Sequence, residues 1–162
     1  KRWGKRRRDE ALRSLSVLGV PEDHAEFMEF PDTELLPRWN RRDGATLAAF
    51  AQSFQWFAPE FLIVPSPLDR HPDHRGMYHL AQSALAECGL APLQWSYLIH
   101  PGWLDTEPTT ISLHLDRRQQ AAKLQAILCH ETQTSSSRGR FSSYARPEEF
   151  FHPEPPVTAP SS

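Results

Sequence analysis

Residues 61–74 have the sequence Phe61-Leu62-Ile63-Val64-Pro65-Ser66-Pro67-Leu68-Asp69-Arg70-His71-Pro72-Asp73-His74. The first four residues form a short apolar run, which is typical of a buried strand, and the chain from His74 to Ala86 has the pattern of a helix. Open α/β sheets bind ligands at the carboxyl ends of their strands. We therefore expect His71 to His74 to lie at a ligand-binding edge.

The segments around this stretch alternate between strand-like and helical patterns. The predicted strands are residues 25–30, 61–64, 95–99 and 111–115; the predicted helices are residues 5–18, a segment after Asp43, residues 74–86 and residues 117–130. Asp43 and Asp116 precede two of these helices, where a carboxylate can accept hydrogen bonds from unpaired N–H groups. This alternation predicts a layered α/β fold.

Composition restricts the class of protein. A chain of 162 residues with 39% hydrophobic residues fits one globular domain, and its formal net charge of −2 argues against nucleic acid as the main partner. Six of the first eight residues are Lys or Arg, so a nucleic-acid-binding arm is a third hypothesis, beside a solvated helix start or the lining of an anionic pocket.

The two cysteines and the hydropathy pattern bear on location. Cys88 and Cys129 both lie on apolar helical patterns, which favours reduced thiols in a core and a cytoplasmic location; a disulfide between them is the alternative. No apolar run approaches the roughly 18 residues that a membrane-crossing helix needs. We therefore expect no membrane span in this chain.

The two histidines with a carboxylate between them have two interpretations. In a metal hydrolase, His74 would be a neutral imidazole ligand, His71 would donate a proton or stabilise an oxyanion, and Asp73 would orient His71 by accepting its other ring proton. In the alternative, Asp73 is a first-turn capping carboxylate and both histidines are ordinary surface residues. The spacing alone does not choose between them.

The arrangement D-x-H-P-D-H at residues 69–74 resembles the second signature motif of the PIG-L/LmbE-like zinc deacetylases. Further resemblances occur in the family's order, over roughly residues 4–150. They are Arg7-Arg8-Asp9-Glu10-Ala11 with Leu18-Gly19-Val20, Phe30-Pro31-Asp32, Ala58-Pro59-Glu60-Phe61-Leu62-Ile63-Val64, and Lys123 with His130-Glu131-Thr132-Gln133. The resemblance implies a Rossmann-like fold with a mostly parallel sheet flanked by helices.

The resemblance also implies a function and roles for particular residues. The activity would be zinc-dependent removal of an acetyl group from an N-acetylated sugar or glycoconjugate of the N-acetylglucosamine type. His74 would bind Zn²⁺, and His71 and Asp73 would be catalytic. Arg7 and Asp32 would contact the small-molecule or glycan substrate; a solvated helix-start cation and a turn-forming carboxylate are the respective alternatives.

One family motif has no counterpart in these residues. The family's A-H-P-D-D-E segment, which supplies the other zinc ligands and the general base, is found nowhere in the sequence. We therefore expect a fragment without the first βα unit, unable to bind zinc tightly or to hydrolyse amides alone. The alternative is a non-catalytic carbohydrate-binding or interaction domain that keeps the fold. Residues 1–151 would form the incomplete domain, and residues 152–162 a disordered tail.

Overall fold

The computed structural model describes residues 2–100, 110–135 and 139–157, with the side chain of Arg2 left out. The helices are α1 (Arg2–Val17), α2 (Leu35–Asn40), α3 (Gly44–Phe57), α4 (Pro72–Cys88), α5 (Arg117–Leu128) and α6 (Glu131–Thr134). The strands are β1 (Phe61–Pro65), β2 (Leu93–Tyr97), β3 (Ile111–His114) and β4 (Glu148–Pro153). Short 3₁₀ helices cover Glu22–His24 and Phe141–Tyr144. The predicted α/β class is confirmed.

The four strands form one sheet in the order β1-β2-β4-β3. β1 pairs with β2 in parallel, with Phe61 opposite Leu93 and Pro65 opposite Tyr97. β2 pairs with β4 in antiparallel orientation, with Ser96 opposite His152. The sheet is therefore mixed, and the expectation of a mostly parallel sheet needs this correction. An antiparallel strand beside parallel ones is common in α/β folds.

The described chain divides into two compact units. The second unit contains residues 29–112 and 150–162 and carries the 69–74 motif. Its core comes from α3, α4, β1 and β4; the buried apolar residues include Phe50, Val64, Leu80, Ala84, Leu85 and Phe151. Gly89 ends α4 with φ +65°, a left-handed conformation that glycine adopts without strain.

The first unit contains residues 1–28 and 113–149. α5 starts with a capping box in which Asp116 accepts a hydrogen bond from the backbone of Gln119, whose side chain accepts one from the Asp116 backbone. Glu10 of α1 is fully buried and accepts hydrogen bonds from the backbone N–H and hydroxyl of Thr132, at 3.0 and 2.6 Å. This carboxylate therefore joins α1 to α6.

Two predicted segments differ from the observed secondary structure. Residues 25–30 form no strand, because Glu29 has φ +53°, a left-handed conformation that interrupts an extended chain. The tail predicted from His152 begins inside β4, because His152 and Pro153 pair with Ser96 and Trp95. The final residues, 158–162, lie outside the described part of the chain.

Candidate functional site

The site lies where the two parallel strands of the second unit end. Pro65 and Tyr97 are opposite each other at the last position of β1 and β2, and the Ser66 N–H donates to the Tyr97 carbonyl at 2.8 Å. Residues 69–74 follow β1, and residues 98–100 follow β2. The predicted position at the carboxyl end of a strand is therefore where the motif occurs.

Asp69 is the centre of this region. Its side chain is buried, and the residue is 1% exposed. One carboxylate oxygen, Oδ1, accepts from the His71 N–H at 2.8 Å. The other, Oδ2, accepts from the N–H groups of Ile99 and His100 at 3.0 and 3.1 Å. Asp69 thus joins the segment after β1 to the segment after β2.

The charge of Asp69 is maintained by these donors. Burial by itself raises the pKa of Asp69, but the hydrogen bonds from the backbone of His71 and His100, the contact with the His74 ring and the hydrogen bond from the backbone of Ile99 lower it below its ordinary value. Burial and the negative charge of Asp69 in turn raise the pKa of Tyr97. Asp69 is therefore an ionised carboxylate in a buried setting.

His74 contacts Asp69 directly. The His74 Nδ1 atom lies 3.1 Å from Asp69 Oδ2, a close but bent contact that falls short of straight hydrogen-bond geometry. Nδ1 itself is buried, whereas the whole His74 side chain is 23% exposed. The nitrogen on the opposite side of the ring, Nε2, is therefore the one that is free of the carboxylate.

His71 is the N-cap residue of α4, and its ring is held by a backbone group. Its Nδ1 accepts a hydrogen bond from the Asp73 N–H at 3.2 Å. An accepting nitrogen carries no proton, so a neutral His71 has its proton on Nε2. Pro72 at the first position of the helix needs no hydrogen-bond partner, which suits the turn.

Three imidazoles cluster beside Asp69. The ring centroids of His71 and His74 are 4.8 Å apart, those of His74 and His100 are 5.6 Å apart, and those of His71 and His100 are 6.2 Å apart. The planes of His74 and His100 are within 3° of parallel. The interpretation of His71 and His74 as unrelated surface residues does not describe this arrangement.

Asp73 has a different partner from the predicted one. Its carboxylate accepts from the backbone N–H groups of Thr33 and Leu35, at 2.6 and 3.0 Å, rather than from the His71 ring. Thr33 has φ +64°, which is strained for a β-branched residue. Asp73 orients His71 through its backbone N–H, and its side chain holds the turn that precedes α2.

The predicted substrate-contacting residues are in different units. Asp32 is exposed in the turn that the Asp73 carboxylate holds, one residue before Thr33. Arg7 is exposed on α1, in the first unit. The structure therefore brings Asp32 into the same unit as His71, His74 and Asp73, while the roles assigned to Arg7 and Asp32 stay predictions.

Sequence reasoning missed two residues of this cluster. Asp69 was part of the quoted D-x-H-P-D-H pattern, and its position two residues before His71 was the available signal. His100 follows β2, and it is brought to the motif because parallel neighbours end at the same edge of a sheet. A search confined to one contiguous motif could not find it.

Zinc is the metal that the family resemblance implies, and the fit of the residues can be tested on the contacts of His74. Metal-binding histidines usually place a carboxylate against the ring nitrogen that faces away from the metal, as Asp69 does at Nδ1. His74 therefore suits a metal ligand. Within the described residues, however, no group of three His, Cys, Asp or Glu side chains is arranged to hold a metal ion.

Comparison with solved structures shows the same fold in two proteins. The conserved protein TT1542 from Thermus thermophilus superimposes with a TM-score of 0.68 and 21% identity, over 98% of this chain and 77% of that one. A deacetylase triple mutant (Orf2*T) involved in the teicoplanin biosynthetic pathway superimposes with a TM-score of 0.66 and 15% identity, over 95% of this chain and 71% of that one.

Sequence comparisons give the family. No curated protein sequence matches significantly. The model of the PIG-L family, GlcNAc-PI de-N-acetylase, matches residues 1–85, a span that includes α1, β1 and the D-x-H-P-D-H motif and is more than half of the 162 residues. The chain therefore belongs to the PIG-L family.

Proposed function

We propose that this chain carries part of the active site of a zinc-dependent deacetylase that removes the acetyl group from an N-acetylated sugar of the N-acetylglucosamine type. The observation that supports this most is the pairing of His71 with His74 at the carboxyl end of β1, 4.8 Å apart between ring centroids, inside the span that the family model matches. The deacetylase neighbour with the same fold is consistent with it.

In this proposal the two histidines have complementary tasks. His74 would hold the metal through Nε2, since its Nδ1 faces the Asp69 carboxylate. A bound Zn²⁺ would supply Lewis-acid polarisation of the amide carbonyl. His71 carries a proton on Nε2, because its Nδ1 accepts the Asp73 N–H, and that proton can be donated to the developing oxyanion or to the leaving amine.

The substrate side of the proposal rests on the turn before α2. Asp73 accepts hydrogen bonds from the backbone of Thr33 and Leu35, in the turn that carries the exposed Asp32. A carboxylate in this turn can accept hydrogen bonds from sugar hydroxyls. Arg7 is proposed as a second contact with the substrate.

None of the helices in the described residues is long and apolar enough to cross a membrane.

The proposed activity is tested by measuring acetate release from an N-acetylglucosamine glycoside in the presence of zinc. The polypeptide of the complete reading frame that contains this sequence is assayed beside the 162-residue chain. We expect chelator-sensitive acetate release by the polypeptide of the complete reading frame, which would contribute further zinc ligands. We expect neither tight zinc binding nor acetate release by the 162 residues alone. Absence of release from both samples would refute the proposed activity.

A non-catalytic carbohydrate-binding domain is the second candidate. It needs no metal, and it would use the exposed carboxylate of Asp32, in the turn that Asp73 holds, to accept hydrogen bonds from sugar hydroxyls. Calorimetry with the same glycoside separates the candidates: saturable binding without acetate release under any metal supports the binding domain, whereas turnover supports the deacetylase.

A further inference from the structure

Asp69 has contacts that neither a helix cap nor an ordinary surface carboxylate would have. It lies on no regular element, it is 1% exposed, and its two oxygens together face three backbone N–H groups and one imidazole. A buried carboxylate is costly unless its oxygens are satisfied. The site therefore retains a fixed negative charge directly behind His74.

The position of that charge determines which nitrogen of His74 carries a proton. If the proton were on Nε2, the lone pair of Nδ1 would point into a buried region 3.1 Å from a carboxylate oxygen. With the proton on Nδ1, the same contact is an attraction between N–H and a negative charge. The bent geometry weakens this attraction but does not change its sign.

His71 is in the opposite situation. Its Nδ1 faces a donor, the backbone N–H of Asp73, and so must be unprotonated. The two neighbouring rings thus differ in the group that faces their Nδ1 atoms: a carboxylate for His74 and an N–H for His71.

We propose that Asp69 is a positioning residue that holds His74 in the Nδ1–H tautomer, while the Asp73 backbone holds His71 in the Nε2–H tautomer. The site consequently presents one lone pair, from His74, and one N–H donor, from His71, on adjacent rings. This inference deepens the proposed deacetylase function, on which its catalytic meaning rests.

Asp69 has a second positioning effect. The oxygen that faces His74 also accepts from the N–H groups of Ile99 and His100, so one atom joins the His74 ring to the chain after β2. The ring of His100 lies nearly parallel to that of His74, with 5.6 Å between the ring centroids. Loss of the carboxylate is expected to release both groups together.

The tautomers are measured by long-range ¹H–¹⁵N correlation spectra of the metal-free complete polypeptide, at a pH where the imidazoles are neutral. Single His→Gln variants assign the signals. We expect His74 to show a protonated Nδ1 and an unprotonated Nε2, and His71 to show the reverse. A wild-type His74 protonated on Nε2, or one without a preferred tautomer, would overturn the inference.

The variant Asp69→Asn tests the cause. We expect His74 to lose its single tautomer, the amide signals of Ile99 and His100 to move, and His71 to keep its tautomer. Asp116→Asn, which alters an N-cap in the first unit, is the matched control and should leave His74 unchanged. An unchanged His74 in folded Asp69→Asn would contradict the inference; if that variant does not fold, the wild-type spectrum decides.

These outcomes are separable from those of the proposed function. A protein with the inferred tautomers that releases no acetate would refute the deacetylase and leave Asp69 as a positioning residue. A protein that releases acetate with His74 protonated on Nε2 would support the deacetylase and refute the role of Asp69 as a positioning residue.

Discussion

At the scale of single residues, two buried carboxylates connect parts of the chain that are distant in sequence. Asp69 links the segments after β1 and β2, and Glu10 links α1 to Thr132, which is 122 positions away. Burial by itself raises the pKa of Glu10; the hydrogen bonds from Thr132 and the positive charges of Arg6 and Arg13 outweigh it and lower the pKa below its ordinary value. We therefore expect Glu10 to stabilise the protein in a pH-dependent way.

Glu10→Gln is expected to lower the melting temperature at neutral pH, because the charge that the Thr132 donors stabilise is lost. A carboxyl group whose pKa is lowered by folding stabilises the protein above its unfolded-state pKa, and this contribution disappears as the pH falls through the folded-state pKa. The difference between wild type and variant should therefore shrink below about pH 4.3, as followed by thermal unfolding.

The control for this measurement is Asp9→Asn, which removes an exposed carboxylate from the same helix and should change the melting temperature little. A Glu10→Gln deficit that stays constant from neutral to acid pH would contradict the assigned role of the Glu10 charge.

At the scale of secondary-structure elements, close packing determines the contact between α2 and α4. Gly76 is buried on α4, and a Cβ atom added there would lie 2.5 Å from the Leu35 carbonyl carbon and 2.8 Å from the Leu35 Cβ. These distances are shorter than carbon atoms tolerate, and the nearest atoms are backbone. The start of α2, which Asp73 also holds, therefore requires glycine at this position.

Gly76→Ala is expected to destabilise the protein by about 1–3 kcal/mol, the usual cost of forcing extra volume into a packed contact. Gly4→Ala, on α1 with nothing within 4 Å of the added atom, should instead stabilise by about 0.5–1 kcal/mol through helix propensity. Denaturant unfolding measures both. Equal effects of the two substitutions would show that the α2–α4 contact is looser than described.

The end of α3 stores backbone strain. Ala58 ends this helix with φ +43° and ψ +57°, and its N–H donates to the Phe54 carbonyl at 2.8 Å. Ala58→Gly should stabilise the protein by about 1 kcal/mol, since glycine adopts this conformation without the Cβ conflict. Ala48→Gly, at an exposed position inside α3, should destabilise it by about 1 kcal/mol. Effects of the same sign in the two variants would refute this explanation.

Across the whole molecule, features with a local cause could be predicted from the sequence. The apolar run gave β1, and the Asp43 and Asp116 carboxylates marked the starts of α3 and α5. Hydrogen-bond partners that depend on topology could not be predicted. Asp69 accepts from the His100 N–H because the parallel strands β1 and β2 end at the same edge of the sheet. Asp73 accepts from the Thr33 N–H because α2 packs on α4.

The antiparallel pairing of β4 was missed for a related reason. Residues 148–153 contain charged residues and a proline, so they lack the apolar alternation that identifies a strand. Their strand conformation comes from pairing with β2 and from burial of Phe151 against Trp95, with 5.6 Å between the ring centroids. The expected absence of a first βα unit stays a prediction.

Removal of the proposed proton donor tests the central claim most directly. The measurement is kcat/KM for acetate release by the complete polypeptide, compared between wild type, His71→Ala and the matched variant His114→Ala, which removes an exposed histidine of β3. Loss of a general acid or oxyanion donor lowers rates by roughly 10²–10⁴-fold. We predict a decrease of that size for His71→Ala and little change for His114→Ala; a His71→Ala enzyme as active as wild type would contradict the account.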